Sequence, residues 1–392
     1  MLSGPFRLLW TARVVSFAGD SLSLVALMLH VEATTGKAIA VAALLLAGDF
    51  VPSLLSPLAG AISDRFDLKR VMITCELVQG ALLALIAFSL PPLPLLLGLV
   101  ALRAIAGQIL LPASRAAVPA LVDDEYLPRA NSLLGFGTNG AEVVGPLLAA
   151  ALLPFLGIRG VLLVDAASFL LSAGLLTRLA ALPRTPDAET LVGQAKAGLT
   201  LLWRVPALRV ISLGFCAVVL CNGIDDVALV MLARDTFGAG ESATSLLLAA
   251  VGIGLFAGYL VLARLKPPMT VLLVAGFAVS SVGNLLTGLA GAVAFAFAVQ
   301  TVRGLGIAAM DVASNTLLQR LVPPAMLGRV FGNLYGAIGV AAAGSYLLGG
   351  LLLDATSPPV TFVIAGGLGT LATIAVAVFW PRQAGGHTGS PV

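Results

Sequence analysis

Ionisable side chains stand inside long apolar stretches of this 392-residue sequence, where they are costly to bury. On membrane-insertion scales such a group costs about 2.5 to 3.5 kcal/mol, so it usually lines a pathway or pairs with another charge. Five acids lie well inside such stretches: Asp20, Asp49, Glu142, Asp225 and Asp226. Three more acids lie nearer the ends, Glu76, Asp165 and Asp311, and three arginines complete the set, Arg13, Arg103 and Arg303. Eight acids against three bases favour protons or cations as the bound species.

Asp20 is the strongest candidate for proton chemistry. It lies near the middle of its stretch, and Arg13 stands seven residues earlier, on nearly the same face of a helix. A carboxylate in a dry site can hold a proton near neutral pH and release it when the site opens to water. We therefore predict that Asp20 exchanges protons, with Glu142 as its partner or as the anchor of a cationic substrate. The alternative is a structural salt bridge of Asp20 with Arg13 or Arg103.

The other central acids allow narrower predictions. Asp225 and Asp226 are adjacent and project about 100° apart from a helix, so at most one of them faces a central cavity squarely. Asp49 fits a proton site and a hydrogen bond between helices equally well.

The stretches that hold these residues predict a membrane protein. Of the 392 residues, 59% are hydrophobic and 10% are charged, against about 25% charged in soluble domains. Only helices and closed barrels satisfy their backbone groups in lipid, and the alternation typical of barrel strands is weak here. We therefore predict an all-α membrane protein. Twelve spans fit best, at about 7–31, 38–60, 71–90, 93–115, 132–154, 158–178, 208–232, 243–263, 270–288, 292–314, 330–353 and 360–380.

The basic residues predict that both termini are cytoplasmic. In that orientation the inner loops carry sixteen Lys or Arg, whereas the outer loops carry only Lys37, Arg159 and Arg234. This excess of positive charge on the inner side supports an even number of spans. The N-terminal stretch shows no small-residue cleavage pattern, so we expect an uncleaved first helix.

An internal repeat relates the two halves of the chain. Two pairs of segments align, 103–130 with 303–330 and 24–36 with 226–238, at offsets of 200 and 202. Arg103 therefore corresponds to Arg303, and Asn222 is the counterpart of Asp20. Parallel repeats of this kind are typical of transporters whose substrate site lies between the halves. We predict alternating access, with Arg103 and Arg303 in structural or gating roles that hold opposing carboxylates in one state.

Four regions follow from the repeat and the polar segments. We predict an N-terminal six-helix bundle at 1–180, a cytoplasmic linker at 181–207, a C-terminal six-helix bundle at 208–382 and a disordered tail at 383–392. The linker can form an amphipathic helix that lies on the inner membrane surface with its basic residues toward anionic lipid. Two complete halves need no second copy to form a pathway, so we expect a functional monomer.

A dense cluster of charge occupies residues 60–70, "GAISDRFDLKR", between the second and third spans. It resembles the signature loop of the major facilitator superfamily, in which a glycine is followed four residues later by Asp-Arg and then by basic residues. Here these are Gly60, Asp64, Arg65, Lys69 and Arg70. A glycine there lets two helices approach closely, the aspartate can accept hydrogen bonds at a neighbouring helix N-terminus, and such a latch biases one state of a rocking transporter. The alternative is a simple loop of the positive-inside kind.

Further resemblance points to one branch of that superfamily. "DRFD" followed by basic residues is similar to the branch of drug:proton antiporters that contains macrolide, multidrug and siderophore exporters, although Asp67 stands where the family usually has a second glycine. "NGAEVVGPLLAAALL", residues 139–153, resembles the Gly-Pro motif of superfamily antiporters. In that motif Gly145 permits close packing and Pro146 bends the helix. Ordinary packing of a membrane helix is the alternative.

Three functions fit these observations. The first is a proton-coupled exporter of amphipathic, cationic small molecules in a bacterial plasma membrane, as the resemblance implies. The second is a translocator of lysophospholipids or other lipids, which would suit an apolar cavity open to the bilayer. The third is a siderophore exporter, whose anionic cargo would bind Arg103 and Arg303.

Other classes lack support in the sequence. It contains no G-x-x-x-x-G-K-[ST] loop, no H-E-x-x-H and no G-x-S-x-G, so we expect neither ATP-driven transport nor an enzyme. Cys75, Cys216 and Cys221 fit no zinc spacing, and we expect no metal or cofactor. The net charge of +3 is accounted for by the inner loops, so nucleic acid is not an expected partner. The expected partners are a small-molecule substrate, protons and membrane lipids.

Overall fold

The apolar stretches are helical in this computed structural model, because a backbone surrounded by lipid must satisfy its own polar groups. The structure describes residues 3–182, 190–238 and 241–381, and within these ranges there is no β-strand. The helices are α1 Gly4–Thr35, α2 Ala38–Leu54, α3 Ser56–Arg65, α4 Leu68–Ser89, α5 Leu93–Leu121, α6 Leu127–Thr177, α7 Leu191–Arg204, α8 Pro206–Asn222, α9 Asp225–Met231, α10 Glu241–Leu262, α11 Met269–Gly288, α12 Val293–Leu321, α13 Leu327–Ala355 and α14 Pro358–Phe379.

Nine stretches of helix in the described part of the chain are long and apolar enough to cross a membrane. A tenth is added if Ile39–Leu54 and Ser56–Arg65, which meet at a bend of 56°, form one broken span, and the apolar helix Leu246–Leu262 is shorter. The chain is therefore a multi-pass helical membrane protein. The count of twelve spans and the cytoplasmic position of both termini stay predictions.

Breaks in the helices have local causes. Pro52 lies inside α2 and Pro57 lies in the first turn of α3, and proline removes a backbone donor where these helices bend apart. In α6 the break is at Gly157, whose φ of 62° belongs to the left-handed region that glycine adopts easily. This break falls between the predicted spans 132–154 and 158–178.

The helix bounds themselves repeat at the offset found in the sequence. Helix α12 begins and ends 200 residues after α5, and each is followed by a 3₁₀ turn, Asp124–Tyr126 in one case and Pro324–Met326 in the other. Helices α6 and α13 then begin at Leu127 and Leu327. The two halves therefore share the local structure around Arg103 and Arg303.

Contacts within the chain define two compact units. One comprises Met1–Ala195, Tyr259–Lys266 and Val322–Gly339, and the other comprises Lys196–Gly258, Pro267–Leu321 and Val340–Val392. The first unit thus includes two segments from the second half of the sequence. The predicted bundles at 1–180 and 208–382 remain a prediction, and the predicted tail at 383–392 lies outside the described residues.

Glycines allow α1 and α6 to pack closely in the first unit. A Cβ on Gly145 of α6 would lie 2.8 Å from the carbonyl carbon of Ser21 and 3.0 Å from the amide nitrogen of Leu22 in α1. A Cβ on Gly137 would lie 3.2 Å from the indole nitrogen of Trp10. Small residues at such contacts let membrane helices gain van der Waals packing, so α1 and α6 lie close together along this face.

The predicted linker contains helix α7. Val192, Leu199 and Trp203 are exposed along one side of α7, while Leu202 is buried. An exposed apolar face on a short helix that carries Lys196 and ends at Arg204 is typical of a segment that lies on a membrane surface.

Candidate functional site

The first charged site joins α1 to α5. A guanidinium nitrogen of Arg103 in α5 donates to Oδ1 of Asp20 in α1. The Arg103 side chain is 11% exposed and that of Asp20 is 30% exposed. Of the pairings predicted for Asp20, the structure therefore contains the one with Arg103. The remaining exposure of Asp20 lets water, protons or a ligand reach its carboxyl group.

A cavity of about 430 Å³ opens beside this ion pair. Its wall is mostly apolar, and the polar groups that line it come from α1, α4 and α5. The lining residues are Arg13, Phe17, Asp20, Ser21, Leu24, Leu27, Leu44, Leu45, Gly48, Gln79, Val100, Arg103, Ala104, Gly107, Gln108, Leu110 and Leu111. Apolar walls with a few polar groups are typical of small-molecule sites.

A second ion pair lies deeper, between α1 and α4. Arg13 Nη1 is 3.6 Å from Oε1 of Glu76, which is fully buried. Glu76 also accepts hydrogen bonds from Ser16 Oγ at 3.1 Å and from Ser172 Oγ at 2.8 Å. The guanidinium carbon of Arg13 lies 4.5 Å from the centre of the Phe17 ring. Glu76 thus ties α1, α4 and α6 together.

Glu76 and Asp165 are more deeply buried than their positions near the ends of the predicted spans indicated. Asp165, in the second part of α6, is fully buried like Glu76, and Ser168 Oγ donates to its Oδ1 at 3.0 Å. Position along a predicted span ranks both acids low as candidate site residues, because the span bounds carry no information about which face of the helix is buried. One signal was available: Asp165, Ser168 and Ser172 follow a spacing of three and four residues, which places polar groups on one face of a helix.

The repeat places a comparable ion pair in the second unit. A guanidinium nitrogen of Arg303 in α12 contacts Oδ2 of Asp225, the first residue of α9. Helices α8 and α9 are separated by Gly223 and Ile224, so this carboxylate stands at a discontinuity in the helix. Each repeat therefore holds an arginine against a carboxylate of its own first span.

Uncharged side chains surround Arg303. Arg303 Nη1 donates to Gln300 Oε1 at 3.1 Å, and Gln300 Nε2 donates to Thr287 Oγ1 at 3.0 Å. Asn284 Nδ2 donates to Oδ1 of Asn222 at 2.9 Å, and Asn222 Nδ2 donates to the hydroxyl of a neighbouring serine at 3.3 Å. Asn222, the repeat counterpart of Asp20, is therefore a member of an amide network and not of an ion pair.

The signature loop contacts the start of α13 within the first unit. Asp64 Oδ1 accepts the backbone N–H of Gly328 at 2.7 Å, and its Oδ2 accepts the backbone N–H of Arg329 at 2.8 Å. The Arg329 side chain adds a bond from Nε to Oδ2 at 3.2 Å. A Cβ on Gly60 would lie 2.8 Å from the carbonyl carbon of Gly328. The loop thus supplies a carboxylate that accepts hydrogen bonds from backbone N–H groups at the N-terminus of α13.

The rest of the loop holds the start of α4. Lys69 Nζ donates to the carbonyl of Leu179 at 2.6 Å. Asp67 Oδ1 accepts the backbone N–H of Arg70 at 2.9 Å and caps α4, which gives a local reason for an acid where the family usually has glycine. Arg65 is half-buried and Arg70 is exposed.

The side chains of Asp49, Glu142, Pro146 and Asp226 lie outside the part of the chain that the structure describes, so their roles remain predictions. Among the described residues, no group of three or more His, Cys, Asp or Glu is placed to hold a metal ion.

Comparison with known proteins identifies the family. The family model "Major Facilitator Superfamily" matches residues 9–299 and 226–391. An uncharacterised transporter of the same type from Sinorhizobium fredii, y4rN, is 31% identical over 350 residues, covering 83% of this chain and 82% of that protein.

Two further relatives are named as exporters. Macrolide efflux protein A of Streptococcus pyogenes is 20% identical over 396 residues, covering 96% of this chain and 95% of that protein. The enterobactin exporter EntS of Escherichia coli O1:K1 / APEC is 27% identical over 382 residues, with coverages of 93% and 89%.

The fold matches the crystal structure of a bacterial homologue of the iron transporter ferroportin in its outward-facing state, with a TM-score of 0.79, 18% identity and coverages of 96% and 99%. The helical fold, the repeated arginine sites and the match along the whole chain together show that this protein belongs to the major facilitator superfamily of membrane transporters and has exporters among its relatives.

Proposed function

We propose that the protein is a proton-coupled exporter of amphipathic, cationic small molecules that works by alternating access in a bacterial plasma membrane. The observation that carries this proposal is the Asp20–Arg103 ion pair at the wall of a mostly apolar cavity. The names of two relatives, a macrolide efflux protein and an enterobactin exporter, support export as the direction of transport.

Asp20 supplies one carboxylate for which a proton and a cation compete. In its ionised form it attracts a cation, and in its protonated form it is neutral and binds a cation weakly. Its partial exposure to the cavity gives both species access. Because a proton and a cationic substrate cannot occupy the carboxylate together, binding of one releases the other, which is antiport. A proton that arrives from one side displaces the substrate, and the substrate displaces the proton on the other side.

Arg103 couples this chemistry to helix packing. When Asp20 is ionised, the pair joins α1 to α5. Protonation of Asp20 removes the negative charge that faces the buried guanidinium, and removing one partner of a buried pair is strongly destabilising. The helices then move to an arrangement in which Arg103 has other partners.

The signature loop supplies the second part of the cycle. Asp64 bonds two backbone amides at the start of α13, and these bonds form only while the loop and that helix terminus are together. We propose that this latch stabilises one state of the transporter and opens in the other. The pair of Arg303 with Asp225 has the corresponding gating role in the second unit.

An anionic substrate is the second candidate. The cavity is lined by two arginines, Arg13 and Arg103, against one acid, Asp20. This local balance differs from the excess of acids in the spans as a whole, and it favours an anionic cargo such as a siderophore.

Transport by purified, reconstituted protein tests the proposal. Proteoliposomes with a pH-sensitive dye inside receive tetraphenylphosphonium, ethidium, erythromycin or a catecholate siderophore on the outside. We expect a cationic compound to drive proton movement in the wild type and not in the Asp20→Asn variant, which keeps the size of the side chain but cannot ionise. Asp354→Asn, at an exposed acid near the end of α13, is the matched control and should transport normally.

Two outcomes would decide against the proposal. Proton movement driven by the siderophore alone would favour the anionic substrate. Transfer of a labelled lysophospholipid with no proton movement by any compound would favour lipid translocation.

A further inference from the structure

Asp165 is a buried carboxyl group that the proposed cycle does not use. It lies on α6, its side chain is completely shielded from solvent, and Ser168 is the donor to its Oδ1. The Ser23 hydroxyl of α1 lies near this carboxyl group but donates to the backbone carbonyl of Asp20 at 3.1 Å, and among the described residues the other oxygen, Oδ2, has no donor at hydrogen-bonding geometry. An ionised carboxylate only accepts hydrogen bonds, and leaving one of its oxygens buried without a donor is costly.

Gly19 of α1 has no side chain, and this leaves room for the Asp165 carboxyl group. A Cβ on Gly19 would lie 3.0 Å from Cγ of Asp165 and still closer to Oδ1 and to the Ser168 hydroxyl. The carboxyl group therefore rests against the backbone of α1, one residue before Asp20. Asp165 is not among the residues that line the cavity, so it lies behind the cavity wall that carries Asp20.

The charged and titratable groups around Asp165 come from three helices. Asp20 of α1 and Arg103 of α5 act directly on Asp165, and beyond them Glu76 of α4, with the neighbouring thiol of Cys75, faces Arg13 of α1. On α6 itself, Arg159 is exposed six residues away.

Both nearby arginines already contact another acid. Arg13 faces Glu76, and Arg103 is bonded to Asp20. Two carboxyl groups, Asp20 and Asp165, thus lie within electrostatic range of the single guanidinium of Arg103. If both were ionised, this buried group of three would carry a net negative charge, whereas one proton makes it neutral.

We propose that Asp165 is a second proton-binding residue, which holds a proton while Asp20 is paired with Arg103 and passes it to Asp20 when that pair opens. This inference rests on the proton coupling proposed above. In the transfer the O–H bond of Asp165 breaks and an O–H bond forms on Asp20. Asp165 becomes the carboxylate that balances Arg103, and no net charge is created in the buried site.

This arrangement gives Asp165 a function distinct from that of Glu76. Both oxygens of Glu76 accept hydrogen bonds from serine hydroxyls, and Arg13 is close to one of them. Glu76 therefore serves as a link between helices. Asp165 has an oxygen with no donor and a neighbouring carboxyl group that can take its proton.

Infrared spectroscopy tests the proposal without a substrate. The C=O stretch of a protonated carboxyl group is measured at neutral pH for the reconstituted wild type and for Asp165→Asn, Asp20→Asn and Asp354→Asn. We expect a protonated-carboxyl band in the wild type, its loss in Asp165→Asn and its retention in the Asp354→Asn control. In Asp20→Asn we expect the band to be lost as well, because Arg103 then has Asp165 as the remaining acid of the pair.

The outcomes separate this inference from the proposed function. A band that survives in Asp165→Asn would overturn the inference. A band that is lost in Asp165→Asn but unchanged in Asp20→Asn would show an isolated buried acid and would also overturn the shared proton. If both variants lose the band while no compound drives proton movement in proteoliposomes, Asp165 binds the proton as inferred and only the proposed transport cycle fails.

Discussion

Substitution of Asp64 should destabilise the contact between the signature loop and α13 by an amount that depends on what replaces it. Alanine removes acceptors from the backbone N–H groups of Gly328 and Arg329 and removes the carboxylate that faces the Arg329 side chain. The Asp64 side chain is completely buried and that of Arg329 is 6% exposed. Breaking a buried pair on one side costs about 3 to 5 kcal/mol, and we expect Asp64→Ala to lose that much free energy of unfolding.

Asparagine should cost less because it keeps one oxygen acceptor. It retains a hydrogen bond to one of the two backbone amides, but it loses the charge that favours the N-terminus of α13 and the charged bond to Arg329. Hydrogen bonds that involve a charged group contribute about 1.5 to 3 kcal/mol each, so Asp64→Asn should lose about that amount. Arg70→Ala, at an exposed position of the same loop, is the matched control, and such surface changes stay within about 0.5 kcal/mol.

The assay is unfolding of the purified protein in mixed micelles as the fraction of sodium dodecyl sulfate rises, followed by tryptophan fluorescence. The expected order of destabilisation is Asp64→Ala, then Asp64→Asn, then Arg70→Ala. The reasoning is refuted if Asp64→Ala unfolds with the same free energy as Arg70→Ala, since the bonds to α13 would then contribute nothing to stability.

Three further predictions concern other parts of the chain. Gly19→Ala should displace Asp165 from its pocket and reduce proton-coupled transport at least tenfold without loss of expression, whereas Gly174→Ala on α6, where a Cβ meets open space, should transport normally. Arg303→Ala removes one partner of a buried ion pair and should lower the free energy of unfolding by about 3 to 5 kcal/mol in the same micelle assay. The hydrogen bond from Lys266 lowers the pKa of Glu125. The ion pair is therefore fully formed at pH values above the ordinary pKa of Glu, and it is lost as the pH falls through the lowered pKa. Lys266→Ala should therefore raise the pKa of Glu125 toward its ordinary value, as measured by carboxyl-carbon NMR, and an unchanged pKa would contradict the contact.

The class of fold and the repeated arginines could be predicted from the sequence because both leave strong local signals. Apolar runs of more than twenty residues with few charges allow little except membrane helices, and Arg103 and Arg303 stand at equivalent positions of two similar segments. The position of the helix breaks was less accessible. The break at Gly157 falls between two predicted spans, but its left-handed conformation and the gap between α8 and α9 depend on how neighbouring helices pack, which the local sequence does not reveal.

The partners of the buried charges could be predicted only in part. The sequence allows two partners for Asp20, Arg103 and Arg13, and charge alone does not distinguish them. The choice depends on Glu76, which lies beside Arg13 and accepts hydrogen bonds from α1 and α6. That arrangement requires three helices to meet, and its contacts span 60 and 96 residues of sequence. The spacing of polar residues in α6 indicates a polar face but not the partner that this face meets.

The two repeats use the same arginine in different surroundings, and this difference favours one of them for the proposed proton chemistry. Around Arg303 the described neighbours are amides and hydroxyls that hydrogen-bond one another, with Asp225 as the ion-pair partner. Around Arg103 two carboxyl groups, Asp20 and Asp165, lie within range of one guanidinium. Amides do not titrate near neutral pH, so the network in the second unit can hold a geometry but cannot take up a proton. A site with one acid more than it has bases can bind a proton and lose it again, and we therefore assign the proposed coupling of protons to transport to the first unit.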